Sequence, residues 1–123
     1  MIGMAEFEEL VAQALEDIPE DFLAKLDNVE IVVEEAPSPE LLKEMGLLGR
    51  GTLFGLYQGI PRTHKSSFHF APLPDRIVIF RRPIVQACRT RERIIRQVKI
   101  TVLHEVAHHF GFSEERLREL GYG

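Results

Sequence analysis

The chain has 123 residues, 45% of them hydrophobic and 28% charged, with a net charge of −4. That length suits one domain, residues 1–123, around one core. No apolar run approaches the roughly 18 residues of a membrane span, and the single cysteine, Cys88, excludes an internal disulfide framework and a multi-cysteine zinc site.

The first stretch, residues 4–17, places Phe7, Leu10, Val11 and Leu15 at helical spacing. It is acidic and amphipathic, unlike a signal or transit peptide, and the expected setting is cytoplasmic. Pro19 suits the first turn of a second short helix with Phe22, Leu23 and Leu26 as its apolar side. Val29, Ile31 and Val33 alternate with Glu30 and Glu34, the pattern of a strand. Ser38-Pro39-Glu40 reads as an N-cap with proline at the first helical position, and Gly46 closes that helix.

Thr52–Tyr57 is the second strand candidate, and Gly55 inside it marks a bulge or a close backbone approach. Residues 58–74 hold three prolines, a glycine and two serines and read as a long loop. Arg76–Arg81 is a third strand whose apolar middle predicts burial on both faces or a place under a helix. Pro83 then allows a short helix through Cys88. Thr90 is the expected N-cap of a long helix running to Phe110, with Gly111 as its stop. Ser113 caps a last short helix that ends at Gly121. Three strands with helices on one side predict an α+β domain, a small three- to four-stranded sheet packed on the long helix.

Charge is divided along the chain. Residues 1–45 carry thirteen acids and two lysines, whereas residues 46–123 carry thirteen bases and six acids. The expected reading is that the acidic half packs near the basic half or that both are solvated faces. Nucleic-acid binding is disfavoured, because no aromatic interleaving accompanies the basic stretch from Arg81 to Lys99.

The chemistry concentrates in His104-Glu105-Val106-Ala107-His108, an HExxH sequence. At roughly 100° per residue, His104 and His108 lie about 40° apart on one helix face, one turn from each other. Two imidazoles so placed can meet one Zn²⁺. Glu105 lies beside that stripe, where it can hold a proton without being a ligand. Ile94, Ile95, Val98, Val102, Leu103, Val106 and Phe110 form the core-facing side, leaving Gln97, Thr101, His104 and His108 as the remaining stripe. A third ligand is needed. HExxHxxGxxE offers Glu114 beyond the break at Gly111, with Glu115 and Glu119 as rivals. His109 reads as a histidine that packs or that supports the ligands from behind, and Cys88 as a small buried hydrophobe. Tyr57, His64, His69 and Tyr122 are the candidates for stabilising an oxyanion.

The segment LHEVAHHFGFSEERLREL, with GLYQGIP and DRIVIFRRPI upstream, resembles the small zincin-like metallopeptidases of bacterial cytosol. The resemblance runs from about residue 50 to the end. It implies a minimal zincin fold and one zinc ion, with His104 and His108 as ligands, Glu105 as general base and Glu114 in the third-ligand position, where members commonly carry Asp. The methionine turn of larger zincins has no counterpart, since Met1, Met4 and Met45 all lie upstream of the motif. No second lobe is therefore expected, and the site is either shallow or completed by another subunit. The implied substrate is a peptide or protein. It would add as a strand along Thr52–Tyr57 or Arg76–Arg81. The alternative is a metal-binding interaction or regulatory domain with little or no turnover.

Overall fold

A computed structural model describes residues 2–47, 53–59 and 74–122. In chain order the elements are α1 (Met4–Glu16), α2 (Glu20–Lys25), β1 (Val29–Glu34), α3 (Pro39–Glu44), β2 (Gly55–Gln58), β3 (Asp75–Phe80), α4 (Arg81–Ala87), α5 (Arg91–Phe110) and α6 (Glu114–Glu119). Thr52 and most of the expected long loop lie outside the described residues. The fold is α+β, as expected, with a mixed sheet in the order β1-β3-β2. β1 runs parallel to β3, from Val29 opposite Asp75 to Glu34 opposite Phe80. β2 is antiparallel to β3, from Gly55 opposite Ile79 to Gln58 opposite Arg76.

The helix starts follow from side chains that accept otherwise unpaired backbone N–H groups. Ser38 Oγ accepts from Leu41 N at 3.1 Å, Thr90 Oγ1 from Arg93 N at 3.2 Å and Ser113 Oγ from Arg116 N at 3.0 Å. The glycines that follow α3, α5 and α6 take left-handed backbone angles, φ 72° at Gly46, 80° at Gly111 and 84° at Gly121. These angles disfavour any residue with a Cβ, so the chain turns there instead of continuing the helix.

α5 is the organising element. It packs against α1, α2, α4, α6 and the sheet. Ile94, Val98, Val102 and Val106 of α5 are buried together with Phe7 and Leu10 of α1, Phe22 of α2, Ile77 and Ile79 of β3, and Leu117 of α6. β3 is central, and Ile77 through Phe80 are all buried, so both of its faces are covered. That position removes Arg76–Arg81 as a template for an added strand, because β1 and β2 already occupy its two edges. β3 passes into α4 without a loop, so Arg81 opens a helix and does not end the strand.

Gly55 resolves as a close approach. A Cβ there would lie 2.6 Å from Thr101 Cγ2 of α5 and 2.9 Å from the Val78 carbonyl oxygen. The register through Gly55 is continuous, so there is no bulge. The absent side chain is what lets β2 sit directly on α5.

Bases from the second half of the chain meet acids from the first. Arg81 and Arg82 pair with Glu35, Arg91 with Glu6, Lys99 with Asp17 and Arg116 with Asp21. The division of charge seen in sequence is thus used within the molecule. Among the described residues, no helix is long and apolar enough to cross a membrane.

Candidate metal centre

The last two turns of α5 present two stripes with different neighbours. Thr101, Glu105 and His109 recur every four residues and face β2. Thr101 is buried beneath Gly55, and its hydroxyl donates to the Gln97 carbonyl at 2.8 Å. Glu105 Oε1 accepts a hydrogen bond from the Tyr57 backbone N–H of β2 at 2.8 Å. The His109 ring stacks on the Tyr57 ring, with centroids 3.8 Å apart and planes 15° from parallel. His109 is therefore a packing residue, as its position on the helix suggested.

The neighbouring stripe carries His104 and His108. Their ring centroids are 6.2 Å apart and their planes 77° apart. His104 is half-buried and His108 exposed. The half-buried ring has a partner: His104 Nε2 lies 2.8 Å from the backbone carbonyl oxygen of Tyr122, just beyond α6. His104, Glu105 and His108 thus lie within the last two turns of α5, and Glu105 is held against the backbone of β2.

Glu114 is not gathered with them. Gly111 turns the chain back, Phe112 N donates to the Ala107 carbonyl at 3.0 Å, and the Phe112 ring stacks on Phe22 of α2 at 4.1 Å. Arg116 then grips Asp21 of α2 through two hydrogen bonds, Nε to Oδ2 at 3.0 Å and Nη2 to Oδ1 at 3.1 Å. These contacts fix α6 with Glu114 and Glu115 exposed in its first turn, where acids favour the helix electrostatically. Glu119 is exposed as well and faces Arg116 at 3.8 Å. Among the described residues, no three His, Cys, Asp or Glu side chains converge on one point. The donor types fit zinc, with two imidazoles one helical turn apart and carboxylates within the following helix. Among the described residues, His104 and His108 lie one helical turn apart, and no third donor joins them.

The oxyanion candidates separate. The Tyr57 hydroxyl donates to Asp75 Oδ2 of β3 at 2.7 Å, so this side chain ties β2 to β3. The Tyr122 ring lies 5.0 Å from the Arg96 guanidinium. His64 and His69 lie outside the described residues. Cys88 is nearly buried within the core, and burial pushes its thiol up from the ordinary range, so it stays protonated. Sequence reasoning missed the two backbone partners of the motif, Tyr57 N–H and Tyr122 C=O. Gly121, the last helix stop, was the available pointer to the second.

The sequence model of the zincin-like metallopeptidase family matches residues 26–123, and the chain belongs to that family. No curated protein matches the chain. Among solved structures, it is similar to a conserved hypothetical protein from Thermo thermophilus. The two are 27% identical, the match covers 85% of this chain and 91% of that one, and the TM-score is 0.56.

Proposed function

We propose that this protein is a zinc-dependent peptidase in which His104 and His108 hold the ion, Glu105 is the proton carrier, and Glu114, exposed and apart from the imidazoles here, turns its side chain in to complete the set. The observation that carries this reading is the placement of Glu105 beside the imidazole pair and against β2. A zinc ion held there would supply a Lewis acid able to activate water near neutral pH.

This chain's residues do the rest. Glu105 accepts a proton and returns it to the leaving amine. Its Oε1 already takes the Tyr57 N–H, which orients the carboxylate and leaves Oε2 for proton transfer. β2 has one edge with no described strand beside it; Glu105 takes the Tyr57 N–H, and an extended peptide can add through the other backbone groups of that edge. Gly55 keeps β2 pressed on α5, which sets the distance from that edge to Glu105. The substrate is accordingly an extended peptide or an unfolded segment of a protein. The lone buried thiol suits a reducing compartment, and we place the activity in the cytoplasm.

The second reading is a metal-binding regulatory or interaction domain with little turnover, acting as a homo-oligomer or with a protein partner. What favours it is the absence of a third converging donor among the described residues.

A peptide-cleavage assay on zinc-loaded protein separates the two. The peptidase reading expects cleavage that a chelator abolishes and that Glu105→Gln loses while retaining zinc. Equal cleavage by Glu105→Gln would refute the base assignment. Stoichiometric zinc with no cleavage of any unstructured peptide would favour the regulatory domain.

A further inference from the structure

We infer that the outer edge of β1, with the groove between it and α1, docks an extended segment of a partner protein that carries bases on one face and apolar side chains on the other. β1 lies at the end of the sheet opposite β2, with β3 between them, so this edge is separate from the candidate metal centre. Among the described residues, no strand pairs with it.

The backbone groups offered there follow from the ladder. Phe80 N donates to the Phe54 carbonyl at 2.9 Å, so the even-numbered residues of β3 turn their backbone groups to β2 and the odd-numbered ones turn theirs to β1. The same phase sends the Tyr57 N–H away from β3 and toward Glu105. A residue in a parallel ladder bonds the two residues that flank its opposite number. Glu30, Val32 and Glu34 stand opposite Arg76, Val78 and Phe80, which odd-numbered residues flank. These three therefore bond β3, and Ile31 and Val33 turn their N–H and C=O groups to the open edge.

The two faces beside that edge differ, because side chains alternate along a strand. Toward α1 lies a groove of about 400 Å³, lined by Val11, Ala12 and Leu15 of α1 and by Ile31 and Val33 of β1, with Glu8 as its acid. Leu15, Ile31 and Val33 are only half-buried, so apolar side chains laid over them would remove further surface from water. On the opposite face Glu30 and Glu34 are exposed, one on each side of Val32. Glu6, Asp17, Asp21 and Glu35 each meet a base from the second half of the chain, whereas among the described residues Glu8, Glu30 and Glu34 meet none.

Charge selects the occupant. A second copy of this chain fits badly: antiparallel pairing that sets Ile31 against Val33 of the copy also sets Glu30 directly against Glu34 of the copy, twice, and like charges so placed repel. Acids on an edge strand deter self-association in this way. A foreign strand with bases opposite Glu30 and Glu34 turns the same positions into attractive cross-strand pairs. Its residues opposite Ile31 and Val33 face the groove and are apolar. The partner segment thus reads base, apolar, any, apolar, base, held by strand addition.

The test titrates the ¹⁵N-labelled full chain, with chelator present, with a fluorescent peptide whose core is Lys-Val-Thr-Ile-Lys. Amide shifts locate the peptide and anisotropy gives its Kd. The expected shifts fall on Ile31 and Val33. Glu30→Gln combined with Glu34→Gln should weaken binding roughly 2–30-fold, the range for two cross-strand charge pairs. Glu40→Gln combined with Glu44→Gln, the same charge change on α3, should leave it unchanged. A peptide with Glu in place of both Lys, or with N-methylated amides on the side that meets β1, should bind far less. Shifts on Tyr57 and Gln58 in place of β1, equal binding by the N-methylated peptide, equal losses from the two double variants, or no binding at low salt would each overturn the inference. Concentration-dependent shifts of Ile31 and Val33 in the protein alone would overturn it in favour of a second copy. No metal enters this test, so its failure and that of the peptidase reading are distinct.

Discussion

The two halves of α5 share one helix and differ in what surrounds them. From Arg91 to Leu103, the inward side chains Ile94, Val98, Val102 and Leu103 are completely buried, and the polar groups other than Gln97 and the buried Thr101 point to solvent or to ion partners such as Asp17. From His104 to Phe110, inward burial continues through Val106 and Ala107, but the outward stripes carry imidazoles and a carboxylate held by backbone atoms from β2 and from the segment beyond α6. The first half is held by the loss of apolar surface to water, which has no direction. The second half is held by hydrogen bonds, which do. Changes in the first half should therefore cost stability and leave the chemistry of the folded molecule intact, and changes in the second should do the reverse.

The strongest way to break that contrast pairs one substitution from each half. Glu105→Gln should lower peptide cleavage about 10²–10⁴-fold, the usual contribution of a general base. Its unfolding midpoint should stay near that of the wild type, because the glutamine amide oxygen can still accept from Tyr57 N. Ile94→Ala should lower stability by about 2–5 kcal/mol in denaturant unfolding, with cleavage per folded molecule unchanged. A Glu105→Gln protein that unfolds as easily as Ile94→Ala would erase the distinction.

Gly55→Ala probes the junction of the halves. Its methyl group would press on Thr101 Cγ2 and on the Val78 carbonyl oxygen, so the expected cost is about 1–3 kcal/mol of overpacking. Adding Thr101→Ser removes Cγ2, retains Oγ1 for the bond to Gln97, and should recover part of that loss. Because the Val78 carbonyl remains, full recovery would show that the close approach is looser than the structure places it.

The smallest effect comes from the ion pairs that join the acidic and basic parts of the chain. Hydrogen bonds from Arg81 hold the Glu35 carboxyl below its usual range, and hydrogen bonds from Arg116 do the same for Asp21. A carboxyl lowered in the folded state adds stability above its unfolded value and loses it as pH falls through the folded value. Unfolding free energy measured at pH 7 and below about pH 4 should therefore drop less for Glu35→Gln combined with Asp21→Asn than for the wild type. Both carboxylates are partly open to solvent, although Arg81 is largely buried, so the difference should be modest and should shrink with added salt.

What the sequence reveals and what it conceals follow the same line between local and non-local causes. Ser38, Thr90 and Ser113 mark helix starts because a cap acts on a backbone only two or three residues away, and Gly46, Gly111 and Gly121 mark stops for the same reason. The apolar run of β3 announces burial on both faces. The order β1-β3-β2 does not show, because it is decided by pairing across long separations, and so Arg76–Arg81 looked available as an edge. At the site, the spacing of His104 and His108 follows from helix geometry alone. The grip of Tyr57 N–H on Glu105 and of Tyr122 C=O on His104 is invisible in sequence, because backbone groups are the same at every residue. The direction of Glu114 depends on Phe112 and Arg116 meeting Phe22 and Asp21 of α2, almost a whole chain length away.

Metal content is the most direct measure of the central claim that one end of α5 is a zinc centre. Protein purified without added metal, offered zinc and freed of excess, should carry one ion per chain by elemental analysis, and His104→Ala and His108→Ala should each carry far less while keeping the wild-type circular dichroism. A wild-type chain that retains no zinc, or histidine variants that retain as much as the wild type, would contradict it.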